Sequence, residues 1–295
     1  MKIRQSIGDR ILMAVIYAIL IFFTLLCLYP LYLVLISSFS DPASVAQGKV
    51  VLYPVGLTID AYKEAFSTND ILIGYRNSLF YMVVGTALNM FLTIPIAYSV
   101  SHPKVKGKGV VMKLIVFTMY FSGGMIPSFL LMKGMGMVNT IWSVLLCTGC
   151  SAYNLIIARS FFMSGVPREL EEAAEIDGCT PLQTFTKIVL PLSKAMLSVI
   201  LLYYAVARWN DYTSSLYYQP SADNLHSLQM VLRTYVERAN NLVKVDNPEE
   251  AEYWANLIAQ LRYSVIVIAS VPLLTVYPFI QKYFEKGVML GSVKG

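Results

Sequence analysis

The chain of 295 residues is 56% hydrophobic and only 14% charged, with a formal net charge of +5. Soluble domains of this size carry about 25% charged residues, so the composition excludes an ordinary globular protein and points to lipid as the main solvent. The small positive excess does not suggest nucleic acid, and where it is placed matters more than its sum. The basic segment Met1–Arg10 precedes an apolar stretch, Ile11–Ile36, that contains no charged residue. That stretch is too long for a signal-peptide core and long enough for a helix to cross a bilayer.

Stretches at about 11–36, 78–100, 111–132, 139–162, 192–208 and 263–284 meet the length of roughly 20 apolar residues that a spanning helix needs. They predict an all-α membrane protein with six transmembrane helices in one domain covering 1–295. Pro30, Pro95, Pro127, Pro272 and Pro278 interrupt several spans, which neighbouring helices in a membrane bundle can accommodate. Gly85, Ala87, Gly123 and Gly124 offer small contact surfaces. Basic residues fall on alternate connections: Lys2, Arg4 and Arg10; Lys104, Lys106 and Lys108; Arg159, Arg168 and Lys187; Lys282, Lys286 and Lys294. The positive-inside rule then predicts that both termini are cytoplasmic and that 209–262 is an extracytoplasmic loop. The apolar cores of the spans show no Asp, Glu, Lys, Arg or His. Coupling to protons needs such groups at membrane depth, whereas sodium coupling through unwound backbone does not; the energy source is expected outside the membrane domain.

Cys147 and Cys150 form a C-x-x-C, but there is no second such pair among the four cysteines, and His102 and His226 lie far away. Small apolar packing residues are the better account of them than a metal or redox site.

The cytoplasmic connection 165–191 is the most informative. Pro167 suits a helix start, with Glu169, Glu171 and Glu172 in the first turns where acids favour the positive helix end. Gly178 is a natural C-terminal stop. Thr180, Pro181 and Gln183 then make a T-x-x-Q capping box for a second helix, with Leu182, Phe185 and Val189 on one face and Pro191 ending the unit. The first helix presents Ala173 and Ala174 beside Leu170. Physical chemistry alone allows two readings of this helix–glycine–helix: a surface for a protein partner, or an amphipathic segment resting on the membrane.

The same residues resemble the EAA loop of binding-protein-dependent ABC importer permeases, whose pattern is E-A-A, three residues, G, nine residues, I-x-L-P. Glu172, Ala173, Ala174, Gly178, Ile188, Leu190 and Pro191 match at the family spacing, and Asp177 before the glycine is usual in the carbohydrate branch. The ending from Tyr277 to Gly295 is similar to the smaller permease of maltose-type systems. The segments from Gly74 and Phe121 are similar to polysaccharide and oligosaccharide permeases of that group. The resemblance implies an ABC type I importer permease fold and a coupling role for Glu172 to Gly178. The implied partners are a second homologous permease, two ATPase subunits that bind ATP and Mg, and an extracytoplasmic sugar-binding protein. It also implies, by analogy, that Gly291, Ser292, Lys294 and Gly295 reach the ATPase interface. No cofactor is expected in this chain itself.

Loop 209–262 is rich in polar and aromatic residues and is a candidate contact for the binding protein. Trp209 and Tyr212 read as interfacial anchors. Tyr203, Tyr204 and Asn210 are candidate linings of a sugar path, since aromatic faces stack on sugar rings; packing in a bundle is the competing reading for the two tyrosines. Other classes find little support. A self-contained secondary carrier lacks its intramembrane ionisable groups. A membrane enzyme would need an H-E-x-x-H, a G-x-S-x-G or a clustered site, and no G-x-x-x-x-G-K-[ST] occurs for nucleotide binding.

Overall fold

A computed structural model describes residues 7–67, 69–242 and 248–292. In chain order the helices are α1 (Ile7–Ser38), α2 (Pro42–Ala46), α3 (Asp60–Ala65), α4 (Asp70–Ser101), α5 (Lys108–Tyr120), α6 (Met125–Gly134), α7 (Ile141–Cys147) and α8 (Ala152–Ser164). There follow α9 (Arg168–Ile176), α10 (Pro181–Thr184), a π turn (Phe185–Val189), α11 (Leu190–Leu192), α12 (Lys194–Trp209), α13 (Thr213–Tyr218), a 3-10 turn (Asp223–Leu225), α14 (Leu228–Leu242) and α15 (Pro248–Ser292). Among the described residues there is no β-sheet, only an isolated bridge between Ser40 and Leu57.

Three helical stretches are long and apolar enough to cross a membrane: Ile7–Ser38, Asp70–Ser101 and Glu249–Thr275. Three bent pairs raise the number to six if each pair counts as one span. They are α5 with α6 at 117°, α7 with α8 at 47°, and Pro181–Leu192 with α12 at 83°. Hydropathy predicts single spans over 111–132, where Pro127 is the expected interruption, and 139–162; the helices there are bent pairs, and the first break lies ahead of Pro127. Around the first interruption Gly124 takes φ +83°, and its amide donates to Ser122 Oγ at 3.2 Å. At the second, Ser151 caps α8 by accepting from the Asn154 amide at 3.4 Å. Both interruptions follow from local turn chemistry that a hydropathy average cannot register.

The chain divides into two compact units. One comprises residues 1–68 and 233–271, the other 69–232 and 272–295. In the first, only Ile36, Ser37 and Ser38 of α1 are buried, and the rest of that helix presents apolar side chains outward. The carbonyl of Ser38 accepts from Gln260 Nε2 at 3.1 Å and Ser264 Oγ at 3.3 Å, while Tyr62 donates its hydroxyl to Ser38 Oγ at 2.9 Å. These bonds join α1, α3 and α15 through polar groups, an arrangement suited to a helix bundle with no water to satisfy them.

In the second unit α4, α8 and α12 share the main core: Ile94, Ala97, Val100, Leu155, Ala158, Phe162 and Ile200, with Val189 from the π turn. Ala97 and Ala158 are fully buried, so the backbones of α4 and α8 approach closely. The connection after α12 is largely helical and stitched to α4. Asn77 donates to the carbonyls of Asn224 and His226, both at 2.9 Å, and Tyr81 donates to Leu225 O at 2.8 Å. Trp209, expected as an interfacial anchor, is instead buried, with its ring 6.3 Å from that of Tyr75. Its place in the last turn of a helix packed on α4 turns it inward, which composition alone does not reveal.

Candidate functional site

The helix–glycine–helix takes the form its residues dictate. Helix α9 closes in a Schellman arrangement: Gly178 has φ +80°, its amide donates to Glu175 O at 3.1 Å, and the Cys179 amide reaches Ala174 O at 2.9 Å. Thr180 and Gln183 form a complete capping box, with Gln183 N to Thr180 Oγ1 at 3.3 Å and Thr180 N to Gln183 Oε1 at 2.8 Å. Pro167 is the N-cap of α9, one place before the first helical residue, so it stands just outside the expected position. The following π turn widens the helix ahead of Pro191, which has no N–H to donate, and the Leu190 amide bonds back to Phe185 O. That widening also shifts the phase of the expected face. Val189 is fully buried and Phe185 half-buried, but Leu182 is 70% exposed.

Glu171, rather than its neighbour Glu172, holds this segment to α4. It is 7% exposed and accepts from the Tyr98 hydroxyl and from Arg168 Nη1, both at 2.6 Å; His102 Nε2 lies 3.7 Å away. Tyr98 in turn stacks on Phe185 with ring centroids 4.8 Å apart. Arg168 Nη2 and Arg159 Nε donate to the carbonyls of Ser101 and Val100. Two of the basic residues used to orient the chain therefore also cap the C-terminal end of α4, where a helix dipole favours cations. Lys104 and Glu175 form an exposed ion pair at 2.5 Å. The hydrogen bond and charge of Glu175 raise the Lys104 ammonium above its ordinary value, and Lys104 lowers the Glu175 carboxyl in return.

The EAA residues separate around this anchor. Ala174 is buried against it, so it is not part of an open small-residue surface, whereas Glu172, Ala173, Asp177 and Gly178 are exposed. Ile188 and Leu190 are half-buried and Pro191 is exposed. Leu170, Ile176 and Leu182 remain in the open, Ile176 at 87%. A cavity of about 480 Å³ lies alongside, lined by Tyr98, His102, Arg168, Glu171, Glu172 and Cys179 among others.

A larger cavity, about 900 Å³, brings together the three residues proposed from sequence for a path: Tyr203, Tyr204 and Asn210 all line it, with Asn89, Cys150, Tyr153, Asn154, Arg208 and Asp211. They differ in availability. Tyr203 and Asn210 are exposed, while Tyr204 is buried with its hydroxyl 2.6 Å from Thr93 Oγ1 and accepting from the Ser151 amide at 3.0 Å. The volume is that of an ordinary small-ligand site. Cys147 and Cys150 border it as free thiols. Arg208, at the C-terminal end of the predicted fifth span, is 3% exposed. It is a buried cation in the last turn of α12, at the edge of that span rather than in its apolar core. Gly291 and Ser292 form the last backbone turn of α15, and Lys294, Gly295 and residues 243–247 of the long loop lie outside the described residues.

Bent, apolar helices with a capped polar elbow on one connection and an open cavity between helices are the build of a membrane-embedded protein, and the comparisons make it a permease. The chain belongs to the family described as binding-protein-dependent transport system inner membrane components, whose model matches residues 71–290. It is 42% identical over 288 residues to the polygalacturonan/rhamnogalacturonan transport system permease protein YtcP of Bacillus subtilis strain 168, covering 97% of this chain and 99% of that protein. It is 40% identical over 266 residues to protein LplC of the same organism, covering 90% and 89%. Among solved structures it resembles a chain of a bacterial ABC transporter involved in the import of the acidic polysaccharide alginate. There the TM-score is 0.81 and the identity 32%, over 96% of this chain and all of the other.

Proposed function

We propose that this chain is one of two permease subunits of an ABC importer that carries an oligosaccharide, of the acidic class named for its relatives, across the cytoplasmic membrane. It crosses six times, with both termini in the cytoplasm. The chain pairs with a second, homologous permease and with two ATPase subunits, which bind the ATP and Mg. ATP-driven closure of the ATPases moves the docked elbow and tilts the spans between inward-open and outward-open states. The observation that carries this reading is the elbow itself. It is fastened to α4 through Glu171 while Glu172, Ala173 and Ile176 remain exposed, so a push on the outer face is transmitted to a membrane helix instead of being absorbed locally. Glu172 to Gly178, with Ile188, Leu190 and Pro191 behind them, form the coupling unit, and Gly291, Ser292, Lys294 and Gly295 extend the ATPase contact.

Tyr203 and Asn210, exposed in the larger cavity, are the path residues best placed to touch a sugar, and Tyr204 supports the wall behind them. The connection 209–262 faces an extracytoplasmic sugar-binding protein. The test is co-expression with the neighbouring permease, an ATPase and the binding protein, purification through this subunit, and assay of ATP hydrolysis with oligogalacturonides and alginate oligomers. Hydrolysis stimulated by one loaded binding protein supports the reading and names the sugar. A chain that purifies alone and moves sugar without ATP overturns it. Unchanged uptake and complex formation after deletion of 239–250 would remove the binding-protein contact from the proposal.

A further inference from the structure

The interruption between α7 and α8 leaves carbonyls at the end of α7 and an amide before α8 without helical partners. In a membrane such groups are costly if nothing satisfies them, because no water is there to do so. Both sides of the break are served by the same helix. Arg208 Nη1 donates to Val144 O, and Nη2 donates to Leu145 O at 2.8 Å, to Asn89 Oδ1 at 2.8 Å and, more weakly, to Thr148 O at 3.4 Å. Four residues earlier on α12, the Tyr204 hydroxyl takes the Ser151 amide at 3.0 Å and meets Thr93 Oγ1 at 2.6 Å. Residues four apart lie on one helix face, one turn from each other. The break spans Thr148–Ser151, so a donor fork meets one end of it and an acceptor the other. A guanidinium suits the first end because its planar fork reaches several carbonyls at once, which an ammonium cannot do.

Room for the fork depends on Gly85. A Cβ there would come within 2.8 Å of Arg208 Nε, 3.1 Å of its Cδ and 3.2 Å of its Cζ. Nε itself makes no hydrogen bond. Asn89, one turn further along the same face of α4, is fully buried and accepts from the fork at 2.8 Å. The segment so braced carries Cys147, Thr148, Cys150 and Ser151, which form one wall of the larger cavity.

We propose that Tyr204 and Arg208 splint the interrupted helix α7–α8, and that Arg208, admitted by Gly85 and held by Asn89, is a positioning residue that fixes the cavity wall for transport. The transport clause rests on the proposed sugar path; the splint stands without it. Two arms separate them, both on the assembled complex of this chain with its permease partner and ATPases. In the first, the reaction of Cys147 and Cys150 with a small methanethiosulfonate reagent is followed by peptide mass mapping. Cys147, half-buried in the braced turn, reports opening, and exposed Cys150 is the internal reference. Arg208→Lys and Gly85→Ala are each expected to raise the Cys147 to Cys150 labelling ratio about tenfold or more, as loss of a hydrogen bond to a charged group does when labelling follows local opening. Gly85→Ala leaves Arg208 in place and adds one methyl, so it serves if changes at Arg208 prevent assembly. An unchanged ratio in Gly85→Ala and Arg208→Lys overturns the splint.

In the second arm, uptake of trigalacturonate into proteoliposomes is measured against its concentration for Gly85→Ala. A shift of several-fold in the half-saturating concentration, with protein level and ATPase retention as in the unmodified complex, supports positioning. A purely architectural defect would lower level and retention together and leave half-saturation of the surviving complexes unmoved. Altered labelling with unaltered half-saturation would keep the splint and overturn its role in transport. Failure of the unmodified complex to take up trigalacturonate in the presence of its binding protein would overturn the proposed substrate class, with the labelling arm still deciding the splint.

Discussion

Replacing Glu171 with alanine separates anchoring from docking in the elbow. The carboxylate accepts two bonds of 2.6 Å, one from the Tyr98 hydroxyl and one from Arg168. Hydrogen bonds to a charged group contribute about 1.5–3 kcal/mol each, or about 3–6 kcal/mol for the pair. Arg168 is partly exposed and keeps its bond to Ser101 O, so water recovers part of its share. Discounting for that leaves about 2–4 kcal/mol for Glu171→Ala, a rise of about 30- to 1,000-fold in the local opening equilibrium. Glu171→Gln keeps an acceptor for Tyr98 but loses the charge and should cost about 1–2 kcal/mol. Glu172 is exposed, and Glu172→Ala should change opening by no more than about twofold, as surface changes usually do. The assay is limited trypsinolysis after Arg168 and Lys187 on the permease pair freed of its ATPases, where cleavage follows opening when reclosing is fast. Cleavage is expected to be fastest in Glu171→Ala and slower in Glu171→Gln, with Glu172→Ala indistinguishable from the unmodified chain. Equal cleavage of the Glu171 and Glu172 variants would refute the anchoring argument.

Further outcomes follow from the same geometry. Gly178→Val meets no atom within 4 Å, so its cost is conformational: about 1–2 kcal/mol for a β-branched residue held at positive φ, with Gly178→Ala near the lower end. Both variants should insert normally yet lose sugar-stimulated ATP hydrolysis in that order, and full activity in Gly178→Val would count against the elbow as coupler. Asn77→Ala leaves the buried carbonyl of His226 without its donor, while that of exposed Asn224 can turn to water, and should cost about 1–3 kcal/mol, read as faster amide exchange over residues 219–228. For Lys104 and Glu175 the lowered carboxyl gives a contribution that is present at neutral pH and is lost as pH falls through the folded-state value of Glu175. The raised ammonium gives one that is lost as pH rises through the folded-state value of Lys104. The pair is open to solvent, so its effect on amide exchange over the elbow should be small, fade with added salt, and return in the doubly reversed variant Lys104→Glu with Glu175→Lys.

Much of this protein is written in short-range chemistry. Apolar runs mark the candidate spans because lipid tolerates only internally bonded backbone. Gly178 marks the end of α9 because a left-handed residue closes a Schellman motif. Thr180, Pro181 and Gln183 mark the next start because a capping box is satisfied within four residues. The EAA spacing carried the family for the same reason, since its elements are fixed by neighbours in the chain. Tertiary structure decided which of two adjacent glutamates is the anchor, because Glu171 is chosen by Tyr98, 73 residues away. It also decided that Trp209 is buried, that hydropathic runs are broken helices, and that the cation at the end of α12 is braced by Asn89, 119 residues distant. Such pairings have no period or spacing. They arise only when packing removes water and each buried donor must find whatever acceptor the fold has brought beside it.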